Sequence, residues 1–321
     1  MTRTRTRIQR YAGRLAAPVV LVLLLSAPLH GAPMGSLVAW GENTYNQCET
    51  PPGENFVDVA GGALHSLALT RDGQVVAWGD NSRGQCNVPS GYTFVDIAAG
   101  LYHSLALTDD GTLVAWGNNG YGQISVPNGD NYSAVTSGYR HNIVMTDSGM
   151  LIGWGDDSHD QAQAPGGAGY RDVTSGGYHS VAVAADGSLA AWGLNDEGQT
   201  DVPAGSDFVD VEAGFYHTLA RRADGSWEAW GWNHYGQCSL PAGLDRAVAV
   251  APGGYHNIAL MPDGTIVGWG RNSAGQLDIP TGDTFFDLAA GRFHSVAIAV
   301  PEPATVGLLA LALAAAMRRH S

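Results

Sequence analysis

Seven histidines recur along the chain, at His65, His103, His141, His179, His217, His256 and His294. Each precedes a small polar residue: Ser66, Ser104, Asn142, Ser180, Thr218, Asn257 or Ser295. A His beside a Ser offers a base and a nucleophile. Histidines in number offer zinc ligands. Both chemistries demand convergence. Zinc needs several ligands about 2.0–2.3 Å from one ion, and a triad needs a unique acid behind its base. Seven equivalent pairs meet neither demand. They read as one structural hydrogen bond repeated along the chain, so no catalytic, metal-ligating or cofactor-binding residue is assigned.

Three other groups could do chemistry. Trp-Gly recurs at Trp40, Trp78, Trp116, Trp154, Trp192, Trp230 and Trp269. Their indole N–H groups can satisfy a neighbouring loop, so packing is preferred to a sugar platform. The loop acids Asp80, Asp109, Asp110, Asp156, Asp157 and Asp160 lack the D-x-D-x-D-G spacing of a calcium loop. Whether they hold calcium weakly stays open. Cys48, Cys86 and Cys238 each follow a Gln. A bond needs Cα atoms within about 7 Å, and one of the three must stay unpaired within the chain. Whether Cys48 and Cys86 pair is left open.

These residues are positioned by a repeat. The Trp steps are 38 residues five times, then 39; the His steps are 38 four times, 39, then 38. Each unit contains HSLALT, a short apolar strand. Asp-Gly follows, as at Asp72-Gly73, Asp110-Gly111 and Asp186-Gly187, and would supply the positive φ angles of a tight hairpin turn. A second strand such as TLVAWG comes next, then the polar loop N-x-x-G-Q, a Pro, and the strand FVDIAAG (Phe94–Gly100). The nearly continuous apolar runs suggest sheets buried on both faces. The Ala/Gly-rich end of the third strand suits a crowded centre.

Short strands at this period predict an all-β fold, a seven-bladed β-propeller of 38-residue repeats. The array opens on GSLVAWG and ends on HSVAIAV, two halves of one hairpin. Pairing these N- and C-terminal strands would close the ring and remove exposed strand edges.

Charge and ends bound the function. There is no Lys; seven of the 16 Arg lie in the two ends, leaving nine between them against 29 of the 30 acids. Such a body repels nucleic acid and anionic membranes. Residues 1–32 combine a basic stretch, a short apolar run and small residues, the pattern of a secretory signal peptide. Pro follows the best small-residue sites, Ala27 and Ala32, so no single cleavage point stands out. Residues 33–300 are expected to form the propeller. Residues 301–321 place Pro301, Glu302 and Pro303 before an apolar run and Arg318-Arg319.

That tail resembles the PEP-CTERM sorting signal. The resemblance implies processing by an exosortase, transient anchoring in the inner membrane, and delivery to the cell surface or extracellular matrix. Only these terminal signals would meet membrane. The repeat pattern AGxxHSLALxxDGxVxAWGxNxxGQ resembles the regulator of chromosome condensation family, a seven-bladed propeller. The short regular form with Val-Pro after Gly-Gln is similar to its secreted bacterial branch, which includes the type II β-lactamase inhibitory protein. In that branch an aromatic face grips a protein partner.

Specificity is expected where the repeats differ. The two residues before each His include Leu101, Tyr102, Tyr139, Arg140, Tyr178, Phe215, Tyr216, Tyr255, Arg292 and Phe293. The N-x-x-G-Q loops add Tyr121, Trp232 and Tyr235, expected on or near the same rim. Aromatics and Arg at loop tips are the residues of interface hot spots. The leading reading is an extracellular binding module for a protein or exopolysaccharide. The alternatives are a polysaccharide-acting enzyme and a secreted inhibitor of the β-lactamase-inhibitor type. Nucleotide exchange on a GTPase fits poorly with a secreted acidic body. The enzyme reading needs a polar cluster that breaks the repeat. Asp160 in place of Gly, Ser148 in place of Asp and the extra residue near Asp245-Arg246 assemble none.

Overall fold

The computed structural model describes residues 33–301. The segment expected to be a signal peptide, residues 1–32, lies outside them, as do Glu302, Pro303, Arg318 and Arg319 of the tail.

The strand-forming runs become 21 strands in seven three-stranded sheets. The first strand, β1 (Ser36–Gly41), stands apart from its chain neighbours. Then come β2 (Phe56–Gly61), β3 (His65–Thr70) and β4 (Val75–Gly79); β5 (Phe94–Ala99), β6 (His103–Thr108) and β7 (Leu113–Gly117); and β8 (Tyr132–Ser137), β9 (His141–Thr146) and β10 (Leu151–Gly155). They are followed by β11 (Asp172–Ser175), β12 (His179–Val183) and β13 (Leu189–Gly193); and by β14 (Phe208–Ala213), β15 (His217–Arg222) and β16 (Trp227–Gly231). Last are β17 (Ala249–Pro252), β18 (His256–Leu260) and β19 (Ile266–Gly270), and β20 (Phe285–Ala290) with β21 (His294–Ala299). All pairings are antiparallel. The last sheet has the order β1-β21-β20, with Ser36 opposite Ala299 and Gly41 opposite His294.

Each middle strand starts at the repeat His and is buried along most of its length; β3, β6 and β21 are buried at every residue. Apolar side chains from neighbouring sheets interdigitate, as Leu67 and Leu69 do with Phe94, Ile97 and Ala106. Each fully buried Leu or Phe contributes about 1.5–3 kcal/mol. The outer strands are only half-buried; in β7 Leu113 and Trp116 alone are buried. An outer strand is paired on one side only, so its apolar run covers the sheet margin.

The hairpin turns differ from the expectation. Gly73 and Gly111 take φ of 78° and 86°, but no Asp of an Asp-Gly pair has positive φ. Thr70 pairs with Gln74 and Thr108 with Thr112 across the turn. The loop is therefore three residues long and needs one left-handed residue, the glycine. The Asp does another job: the Thr108 hydroxyl donates to Asp110 at 2.5 Å, which holds the turn shut. The extra residue of the sixth unit is absorbed by a short 3-10 turn, Leu244–Arg246.

The histidines tie sheet to sheet. His65 Nε2 meets Ser104 of the next sheet at 2.9 Å, His103 meets Asn142, His141 meets Ser180 and His179 meets Thr218. His217 meets Asn257, His256 meets Ser295, and His294 meets Ser66. The Ser104 hydroxyl donates its one proton to the Gln85 carbonyl at 2.9 Å. His65 Nε2 must then carry the proton and donate it to Ser104. Each imidazole packs against the glycine three residues upstream. A Cβ on Gly62 would lie 2.5 Å from His65 Cε1, so only glycine fits. The tryptophans repeat the logic: Trp116 Nε1 donates to the Gln85 carbonyl of the preceding unit at 2.8 Å, and the other six do likewise.

Candidate functional site

With the His and Trp absorbed by the scaffold, the residues left to act are those that vary between units. Loops joining the first and middle strands lie beside the N-x-x-G-Q loops. The amide of Trp232 donates to the Tyr216 carbonyl, and that of Arg271 to the Tyr255 carbonyl. The two sets of loops therefore share one end of the molecule, opposite the Asp-Gly hairpins.

On that end the aromatic residues form one connected group. Tyr139 stacks on Phe215 at 4.1 Å and on Tyr178 at 5.3 Å. Tyr178 reaches Tyr216, Tyr216 reaches Trp232, and Trp232 packs edge-on against Tyr255 at 5.1 Å and Tyr235 at 5.5 Å. Tyr255 stacks on Phe293. Such pairs each add about 0.5–1.5 kcal/mol beyond the area they bury. Leu101 and Tyr139 are 8 % and 7 % exposed, so they form the floor beneath the face rather than its surface. Tyr102 packs against that floor. Arg140 and Tyr121 pair with each other: the guanidinium donates to the phenol at 2.7 Å and lies over the ring. The expected partner-facing residues are thus gathered at one end, with two of them buried. Pro301 is half-buried at the end of the described chain.

Sequence reasoning missed Arg271 and His159. Arg271 lies over Tyr235, Tyr255 and Phe293 at 4.9, 5.6 and 5.1 Å from the ring centroids. It occupies the same repeat position as Trp232, directly after Trp-Gly, which was the available signal. His159 meets Tyr178 edge-on.

Beneath the floor, the first strands line a polar channel of about 140 Å³ that includes Asp96, Asp172, Asp210 and Glu212. Its end at the aromatic face is lined by Ala63, Leu101, Tyr139, Phe215 and Arg292 among backbone glycines. Among the described residues no group of three or more His, Cys, Asp or Glu could hold a metal ion.

Burial sets the titration of the scaffold groups. Desolvation pushes His65, His141, His179 and His256 down to about 3, and His103, His217 and His294 down to about 4. They are neutral at any ordinary pH and are poor general bases. The three thiols are free, and burial pushes each up to about 11. Each points its sulfur at a backbone carbonyl, Cys86 at that of Asp80.

Six segments, residues 56–85, 94–123, 132–161, 170–199, 208–237 and 247–276, match the regulator of chromosome condensation (RCC1) repeat and span more than half of the chain. The chain belongs to the RCC1 repeat family. Its C-terminus carries the PEP-CTERM protein-sorting motif, matched over residues 299–320. Among solved structures, the RCC1-repeat chain is similar to Prp20p from Saccharomyces cerevisiae, at 16 % identity over 94 % of this chain and 96 % of that one, with a TM-score of 0.73. Human WBSCR16 is 18 % identical over 84 % of this chain and 99 % of that one, with a TM-score of 0.69. The ectodomain of the Physcomitrella patens receptor kinase CR4 is 21 % identical over 77 % and 70 %, with a TM-score of 0.65. At these identities the likeness is one of fold, the β-propeller. No curated protein matches in sequence. The sorting motif supports export and cell-surface sorting. Among the described residues no helix is long and apolar enough to cross a membrane.

Proposed function

We propose that this RCC1-repeat protein is an extracellular or cell-surface binding module, and that its partner seats on the aromatic loop face. The observation that carries this is the connected group from Tyr139 through Trp232 to Phe293 at one end of the molecule. Trp, Tyr and Arg around a water-excluding centre are the composition of interface hot spots. The partner is an extracellular protein or an exopolysaccharide. An enzyme-inhibitor role and a polysaccharide-acting enzyme are alternatives.

In this reading the seven sheets are the blades of a closed seven-bladed ring. The β1–β21 pairing and the return of the histidine bonds from His294 to Ser66 support closure. Residues 33–300 form the ring, residues 1–32 direct secretion, and residues 301–321 are the sorting tail, processed by an exosortase after transient anchoring in the inner membrane. Closure pairs the first strand of the chain with the last, leaves only the short outer strands as edges, and gives the face a rigid base.

Capture of partners from the native extracellular matrix tests the proposal. The full chain should retain a partner that Tyr178→Ala with Tyr216→Ala releases, with the fold unchanged by circular dichroism. Undiminished capture by that double variant would remove the aromatic face from the function.

A further inference from the structure

The body carries nine Arg against 29 acids. Arg222 pairs with Asp207 and Glu228, whereas Arg140 is held by the ring and phenol of Tyr121. Arg271 and Arg292 are held by several rings each. Among the described residues neither forms an ion pair with a carboxylate. Arg271 rests over Tyr235, Tyr255 and Phe293. Arg292 rests over Phe293 at 5.0 Å, Phe215 at 5.8 Å and Tyr139 at 6.0 Å. The two guanidinium groups share the Phe293 ring.

Each guanidinium has five N–H donors. The hydrogen bonds to described side chains are few: Arg271 Nε donates to Ser273 at 2.6 Å, and Arg292 bonds to Tyr255. Arg292 Nε is buried with no acceptor. Aromatic faces hold a cation in place but satisfy few of its donors. A planar fork of donors matches a carboxylate, two bonds to one anion.

We infer that the Arg271–Arg292 pair at the centre of the aromatic face is a receptor for carboxylates of an acidic segment of a protein partner. This rests on the aromatic face being the binding surface, and it names the chemistry of what binds there. The rings favour a protein over a uronate polymer. Trp232 meets Tyr216, Tyr255 and Tyr235 at 87°, 75° and 76°. Edge-to-face rings make a contoured surface for side chains, whereas a sugar stacks on a flat ring. Acids lie at both ends of the molecule: Asp110, Asp186, Asp224 and Asp263 in the Asp-Gly hairpins, and Asp80, Asp157, Asp196 and Glu197 in the Gly-Gln loops beside the aromatic face. Arg271 and Arg292 are therefore a local cationic pair in an acidic surround, and any attraction they exert is short-range.

The test uses the full chain in mild detergent and three probes: fluorescein-labelled (Glu-Tyr)6, its uncharged counterpart (Gln-Tyr)6, and polygalacturonate as competitor. Fluorescence anisotropy should show the Glu peptide binding about tenfold tighter than the Gln peptide, with the difference shrinking at high salt. Arg271→Gln should erase the preference and Arg271→Lys should restore part of it. Arg246→Gln, the same charge change at the far end, should leave it intact. Trp fluorescence and thermal unfolding check that each variant is folded. Equal binding of the two peptides overturns the inference, as does equal loss in Arg246→Gln. Displacement by polygalacturonate at lower carboxylate concentration than the peptide also overturns it. So does concentration-dependent self-association without peptide binding, because the acids of a second copy would then be the occupant. If both peptides bind equally and Trp232→Ala loses both, the carboxylate preference falls while the aromatic-face reading stands. If Trp232→Ala changes neither, both fall.

Discussion

Lowering the pH from 7 to 5.5 should unfold this protein, and the seven buried histidines set the size of the effect. In the unfolded chain each imidazole takes a proton near pH 6.5. In the fold burial holds them down to about 3 or 4. The unfolded state therefore binds more protons throughout that window, and stability falls as pH falls. At pH 5.5, one unit below the unfolded value, each His costs about 1.4 kcal/mol. Seven cost about 10 kcal/mol, comparable to the whole stability of a domain. Geometry agrees with the sign. The proton on Nε2 is already donated across the sheets, and a second proton on Nδ1 would face the repeat glycine with no acceptor among the described residues. The assay is urea unfolding followed by Trp fluorescence at half-unit pH steps. The slope of stability against pH should rise toward seven protons between pH 6.5 and 5. A midpoint that stays flat from pH 7 to 5.5, or a slope near one proton, would refute the reasoning.

Other perturbations follow from the same contacts. Gly62→Ala should cost about 1–3 kcal/mol by overpacking against His65, read as a lower urea midpoint. Trp116→Phe loses the donor to Gln85 and leaves part of the buried indole volume empty, and should cost about 2–4 kcal/mol in the same assay. The three thiols should resist iodoacetamide at pH 8 in the native protein and all react in urea, because burial pushes each up to about 11; mass spectrometry counts the adducts, and rapid native labelling would contradict the burial.

The repeat was the most legible feature of the chain. His103 and Trp116 could be assigned to the scaffold before any coordinates, because seven equivalent copies cannot converge on one reacting atom. The hairpins were less legible. Asp-Gly fits both a two-residue and a three-residue turn, and only the Thr108–Thr112 pairing decides between them. The outer strands read as fully apolar, yet an edge position leaves them half-buried. The candidate face was legible as a set of variable positions but not in depth. Leu101 and Tyr102 are adjacent in sequence, and only packing against Ala63 and Tyr139 shows that Leu101 lies in the floor. Arg271 escaped notice because its role depends on rings from three other loops, which sequence distance does not reveal.

The binding face is tested most directly by amide hydrogen exchange of the full chain with and without a partner captured from the matrix. The expected result is protection confined to the loops at 100–102, 138–140, 176–178, 214–216, 253–255 and 291–293 and to the neighbouring Gly-Gln loops. Protection centred on the Asp-Gly hairpins, with these loops unchanged, would contradict it.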